Sequence, residues 1–369
     1  MSRADVSMQS VIDGLRAEGL LSDEASARGA ALMETLGGQQ PWYVRAMVGF
    51  GAWLASLLLI SFVVGIAAGA EGGYMAIGTV LIVGAVVLRR RSTKDFAVQM
   101  ALATSLAGQA LIALGLTEVI EWREPEPVFG LVCIMSAVLF FAFPDRIHRV
   151  LMVLLALGSM TALIYAWELN ALIPIFGPAC AAAFVMLSKM PAKLYSVGRG
   201  SLLKPLSTGL MLSAFGCLLL SAIYVLPELM DEARFQFYPR PWISTLLLGA
   251  LFVYTGSDVW PRLVTGSRKP TLAIVYGLIV VLVAASWSAP GLLLALVVVM
   301  LGASTCNPVA TGAGVVFLAV FLSAFFYGIE LTMLTKSVIL TGTGGAILLA
   351  RWVLVKVLAG PVAGEVNHD

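Results

Sequence analysis

The stretch DFAVQMALATSLAGQALIALGL, residues 95–116, carries no charged side chain after Asp95. A helix of about 20 apolar residues crosses the hydrocarbon core of a bilayer, and this run is that long. It is nevertheless interrupted by Gln99, Thr104, Ser105 and Gln109. At the 3.6-residue period of a helix, Ala101, Thr104, Ser105, Gly108 and Gln109 share one side, while Leu102, Leu106, Ala110 and Leu114 occupy much of the other. A small-and-polar stripe lets membrane helices approach closely, and each interhelical hydrogen bond from such a stripe adds about 0.6 to 2 kcal/mol. The same residues would also suit the lining of a solute path. The first reading is preferred, and Gln99, Thr104, Ser105 and Gln109 are kept as candidate intramembrane positions.

The rest of the chain has the same character. Of its 369 residues 60% are hydrophobic and only 12% are charged, with a mean hydropathy of +0.95. Water-soluble domains carry roughly twice that charge, about 25%. Lipid must therefore replace water over most of the surface. A net charge of +2 and the absence of a basic arm give no footing for nucleic acid. The four cysteines (Cys133, Cys180, Cys217 and Cys306) lie in or beside apolar runs at unrelated spacings, as small buried hydrophobes do.

Residues 1–40 are polar and of mixed charge, unlike a secretory signal. Two segments with helical spacing, Ser22 as an N-cap and the stop at Gly37–Gly38 predict a cytoplasmic helical hairpin. An interfacial linker, 41–46, follows with Trp42 and Tyr43 as anchors. The transmembrane helical domain spans 47–357, and 358–369 is a cytoplasmic tail. Within the domain the apolar runs fall at about 47–69, 73–88, 96–116, 128–143, 150–167, 171–188, 205–226, 242–260, 271–288, 290–305, 309–329 and 333–355. The expectation is an all-α polytopic membrane protein of about twelve helices, with short ones near 73–88, 128–143 and 290–305.

Charge placement tests that count, because Lys and Arg concentrate in cytoplasmic loops. With the N-terminus inside, RRRSTK (89–94), DRIHR (145–149), the loop from Lys189 to Lys204 and RLVTGSRK (262–269) all fall on the cytoplasmic side. Glu71, Glu118, Glu121, Glu124, Glu126, Glu168, Glu228, Asp231, Glu232 and Glu330 fall outside, where the basic residues are Arg123, Arg234 and Arg240, with Lys336 near the edge. Both termini are then cytoplasmic. His148 belongs to one of the basic loops, and Glu168 and Asn170 mark a tight outer turn.

Charge within a span is costly, at least about 2.5 to 3.5 kcal/mol at the centre. Lys336 lies at the outer end of the last run near Glu330, and Asp258 lies near the inner end of its run beside Arg262. Interfacial pairing accounts for them, with a proton or ion relay as the alternative. Gly49, Gly51 and Ala55 in the first run, and Gly342, Gly344 and Gly345 in the last, predict close helix packing; the alternative is a broken helix around a binding site.

Signatures of enzymes are missing. There is no GxxxxGK[ST], HExxH or GxSxG, and only two histidines, so no catalytic residue, cofactor or metal is expected.

Three segments, 41–62 (PWYVRAMVGFGAWLASLLLISF), 96–116 and 321–352 (FLSAFFYGIELTMLTKSVILTGTGGAILLARW), together resemble an uncharacterised bacterial family of polytopic inner-membrane proteins, domain of unknown function 4401. The resemblance implies the bacterial cytoplasmic membrane and a membrane partner of the GDYXXLXY type, whose genes typically neighbour the family's. It carries over no catalytic residue. It singles out Gln99, Gln109, Tyr327, Glu330 and Lys336 as polar positions. The expected function is a non-enzymatic component of a bacterial envelope membrane assembly. Alternatives are a secondary transporter or permease for a small solute, or an enzyme acting on lipid-linked sugars.

Overall fold

The computed structural model describes residues 73–92, 95–120, 125–190, 200–223, 240–257 and 289–328, with isolated positions in 47–65, 277–287 and 334–348. The hairpin at 1–40, the linker and the C-terminal tail lie outside these residues. Every described element is a helix: α1 (Gly73–Arg91), α2 (Asp95–Val119), α3 (Glu126–Ala142), α4 (Arg146–Ala166), α5 (Ile173–Lys189), α6 (Gly200–Ile223), α7 (Pro241–Gly256), α8 (Pro290–Ser304) and α9 (Pro308–Gly328). Each coincides with an expected apolar run. Five stretches within them are long and apolar enough to cross a bilayer: Gly73–Arg91, Phe96–Val119, Arg146–Ala166, Ser201–Ser221 and Pro308–Phe325. The shorter α3, α5, α7 and α8 have 15 to 17 residues. At 1.5 Å per residue they reach only about 22 to 26 Å.

Local chemistry sets the helix ends. Five helices carry proline at the first or second position: Pro127, Pro174, Pro241, Pro290 and Pro308. There its missing N–H costs nothing and its fixed φ suits the turn. Asp145 caps α4, its carboxylate accepting from the backbone N–H of His148 at 3.0 Å. This corrects the expected basic loop at 145–149, since from Arg146 onward it is the first turn of α4. At the other end of α4, Glu168 N donates to Tyr165 O and Leu169 N to Ile164 O, with Glu168 at φ 54°. That pattern closes a helix with one left-handed residue. It bears out the tight turn read at Glu168 and Asn170. Cys306 repeats it after α8 at φ 52°, with Cys306 N on Ala303 O and Asn307 N on Gly302 O.

The chain divides into two compact units, Met1–Leu111 and Ile112–Asp369, the boundary falling inside α2. In the first unit Gly108 of α2 lies against Gly78 O and Ile82 of α1, where an added methyl would come within 2.7 Å of either. In the second, α6 is central, packing on α4, α5, α8 and α9, while α7 bridges α5 and α8. Leu218, Leu248, Leu293, Ala295, Val297, Val298 and Phe321 are wholly buried there. Phe215 of α6 stacks on Phe317 of α9 with ring centroids 4.1 Å apart.

Outward faces are apolar too. Ile134, Val138 and Phe141 form a stripe on α3, each 60% exposed or more, and Val309, Val316 and Val320 form one on α9. Water tolerates isolated exposed apolar residues rather than whole helical stripes; hydrocarbon accepts both.

Close backbone approach occurs between described helices, while Gly49, Gly342 and Gly344 of the expected glycine clusters lie outside the described residues. Among the described residues, a methyl added at Gly51 or Gly345 meets nothing within 4 Å. The tight contacts in the second unit are Gly209 on Val153, Gly249 on Val283, Gly291 on Phe321, Gly302 on Thr311 and Gly314 on Val299, among the described residues. A contrast follows. Gly302→Ala drives its methyl to 2.6 Å from the Thr311 backbone N and should cost about 1 to 3 kcal/mol by overpacking. Gly312→Ala, with open space around it, should be neutral or stabilising by up to about 1 kcal/mol. Thermal denaturation of both variants in one detergent checks the sign of each.

Candidate functional site

The stripe on α2 faces protein. Ser105 is fully buried and Gln109 is 4% exposed, while Thr104 and Gln99 are half-buried. Gln109 Nε2 donates to Ser105 O at 3.4 Å, and among the described residues Gln109 Oε1 accepts from no donor. The opposite side is less uniform than its leucines predicted. Ala110 and Leu114 are exposed, but Leu102 is buried. Buried positions such as Leu102, Ala103 and Ser105 fall all round this half of α2, so its leucine side is not left outward. Asp258, Glu330 and Lys336 lie outside the described residues; so does the side chain of Tyr327, whose backbone ends α9. Whether Gln99, Gln109 and Lys336 converge falls there as well.

The second unit contains a polar arrangement that the sequence reading missed. Pro178 sits inside α5 and Pro205 inside α6. A proline has no N–H, so the carbonyl four residues earlier loses its helical donor. Those carbonyls belong to Pro174 and Ser201. Each is met from another helix. The Ser244 hydroxyl of α7 donates to Pro174 O, and Arg149 Nη1 of α4 donates to Ser201 O at 3.0 Å. Helix ends, which also leave carbonyls without helical donors, receive the same treatment. Arg149 Nε donates to Phe140 O in the last turn of α3 at 3.1 Å. Lys189 Nζ donates to Tyr254 O and Thr255 O at the end of α7 and stands 4.3 Å from the Tyr254 ring centre. A cation there also meets the negative end of the helix dipole. Thr245 Oγ1, with one proton to give, lies within donating distance of Ser286 O at 3.1 Å and Trp287 O at 3.3 Å, just before Pro290, and of Pro241 O in its own helix at 3.2 Å.

These contacts fix which helix ends lie together. Arg149 joins the starts of α4 and α6 to the end of α3, and Lys189 joins the ends of α5 and α7. Because α4 and α5 are joined by the turn at 167–172, Arg149 and Lys189 stand at the same end of the second unit. Trp167, Trp242 and Trp287 stand at the other, and the last two stack with centroids 6.2 Å apart. The unit thus has a basic end and a tryptophan end.

Near the tryptophan end a cleft of about 10 Å³, room for one water, lies between α4, α5 and α6. Thr161, Tyr165 and Cys217 give it a polar side, with Thr161 Oγ1 3.6 Å from Cys217 Sγ. Cys180 is buried and Cys133 and Cys217 are half-buried, as small hydrophobes should be, but Cys306 is exposed in its turn. No three His, Cys, Asp or Glu side chains gather to hold a metal among the described residues. At the basic end His148 is fully buried and stacks on Phe143, centroids 4.0 Å apart, instead of lying in a loop. The signal that would have found Arg149 and Ser244 is the pair of prolines, each of which announces a carbonyl needing a donor.

A family model described as Domain of unknown function (DUF4401) matches residues 41–357. No curated protein matches the chain, and no solved structure does.

The two readings of Gln109 part under substitution. As packing in a dry helical contact, Gln109→Leu should shift the unfolding free energy by less than about 1 kcal/mol, because its one bond is long and its carbonyl oxygen has no described donor. Gln109→Glu should cost about 2.5 kcal/mol or more, since it places an acid where no water reaches. Chemical denaturation in mixed micelles separates them; a Glu variant as stable as the wild type would point to a wet path.

Proposed function

The chain belongs to the DUF4401 family, and from that premise we propose that it is a non-enzymatic, multi-pass component of a membrane assembly in the bacterial inner membrane. The observation that carries this reading is what four polar side chains of the second unit, two buried and two half-buried, are bonded to. Ser244, Thr245, Arg149 and Lys189 donate to helix carbonyls, and the core between them is filled by Leu218, Leu248, Leu293, Val297 and Phe321. Such groups fasten helices to one another. A permease needs interior polar groups that reach water, and Gln109, first among those expected to line a path, is nine-tenths buried.

In this reading about twelve helices cross the membrane, with both termini in the cytoplasm. The basic end of the second unit, with Arg149 and Lys189, faces the cytoplasm, and the end with Trp167, Trp242 and Trp287 sits at the periplasmic interface. The apolar stripes of α3 and α9 face lipid or a membrane partner, and the partner expected is a protein of the GDYXXLXY type. The short α8, enclosed by its neighbours over most of its length, acts with α6 as a packed centre rather than a channel wall.

The test is affinity purification of the tagged chain in mild detergent, followed by reconstitution in liposomes. A stoichiometric membrane partner should co-purify with the wild type and with Gln109→Leu alike, because Gln109 is buried inside the chain's own fold. A chain that purifies alone and, in liposomes, moves a small solute down its gradient would overturn the reading.

A further inference from the structure

Pro178 divides α5 unequally. The turn before it, Ile173–Gly177, lacks one helical bond to the rest of the helix, since the donor to Pro174 O is absent. Two residues of that turn, Ile173 and Phe176, form one wall of the cleft that holds Thr161, Tyr165 and Cys217. Its last residue, Gly177, rests 3.3 Å from Cys217 Cβ, measured from an added methyl position, so the turn pivots on a contact with no side chain of its own. Among the described residues, the side chain that reaches its freed carbonyl is Ser244, which is itself fully buried.

We propose that the first turn of α5 is a hinged flap, latched by the Ser244 hydroxyl over the cleft of Thr161, Tyr165 and Cys217. Closed, the cleft has room for one water. Open, it widens access to a thiol, a hydroxyl and a phenol that are half-buried in the closed state, toward the end of the unit where Trp167, Trp242 and Trp287 stand. The latch is coupled to the neighbouring helices. Ser244 adjoins Thr245, whose hydroxyl lies within donating distance of Ser286 O and Trp287 O, so a displacement of α7 against the start of α8 draws Ser244 from Pro174 O. A partner or lipid that shifts α7 at this end would release the flap. The device does not depend on the assembly reading.

The thiol reports on it. N-ethylmaleimide labelling of the full-length chain in detergent, read at each cysteine by peptide mass spectrometry, gives the opening rate at Cys217 with the exposed Cys306 as internal reference. Ser244→Ala should speed labelling at Cys217 by about tenfold or more, the effect of leaving one buried carbonyl without its donor. Cys306 and the core residue Cys180 should keep their wild-type rates. Ser244→Ala/Pro178→Ala supplies a backbone N–H to Pro174 O again, so Cys217 should return to the wild-type rate. The proposal is overturned if Ser244→Ala labels Cys217 no faster than wild type. It is equally overturned if the acceleration survives Pro178→Ala, or if Cys180 accelerates in step with Cys217, as general loosening would require.

Discussion

A carbonyl in a helix surrounded by hydrocarbon must find a donor, because no water is present to supply one. Pro178 withdraws a donor at the buried start of α5 and Pro205 withdraws one at the exposed start of α6, and each freed carbonyl is met by a side chain of a neighbouring helix. Ser244 holds α7 beside the start of α5, and Arg149 holds α4 beside the start of α6. With those ends paired, Lys189 lies where α7 ends and Thr245 where α8 is about to begin. Apolar packing alone would leave the helices freer to slide, since a leucine meets lipid about as favourably as it meets another leucine. The hydrogen bonds supply register, and the glycine contacts of Gly209, Gly291, Gly302 and Gly314 supply closeness.

The same constraint bears on function. Side chains engaged with backbone carbonyls are withdrawn from any solute, and the core they frame is aromatic and aliphatic. α8 illustrates this. It is too short at 15 residues to cross about 30 Å of hydrocarbon unaided, yet Leu293, Ala295, Val297 and Val298 are fully enclosed. A helix shielded on so many sides need not match the bilayer, because its neighbours complete the span around it. That is the interior of a fastened bundle, and it agrees with a role in assembly.

Much of the fold was legible in the sequence because a bilayer demands long apolar runs, and punctuation by proline and charge marks where they stop. The helices α1 to α9 fall on runs read from hydropathy, and the tight turn at Glu168 and Asn170 was legible from its polar residues. The start of α4 was misplaced because Arg146, His148 and Arg149 resemble a basic loop, although Asp145 three residues before His148 is a capping signal. The stripe on α2 was legible because Gln and Ser stand out against leucine. Its lipid-facing side was not, since a helix that is apolar all round carries no mark of how many neighbours it has. The latches were hidden for another reason. A proline announces an unmet carbonyl, but its donor lies 70 positions away for Pro174 and 52 for Ser201, and only the folded chain joins them. Glycine contacts were equally hidden, because Gly302 touches its neighbour helix and Gly312 does not, with nothing in composition to separate the two.

The central claim is that side chains stand in for the donors prolines remove. A double-mutant cycle crossing Arg149→Met with Pro205→Ala, read by unfolding in mixed micelles, tests it most directly. Pro205→Ala gives Ser201 O a backbone donor again, so the loss caused by Arg149→Met should shrink by at least about 0.5 kcal/mol in that background. The bond to Phe140 O is common to both backgrounds and cancels. Additive effects of the two substitutions would contradict the account, since the Arg149 guanidinium would then be indifferent to the carbonyl that Pro205 leaves open.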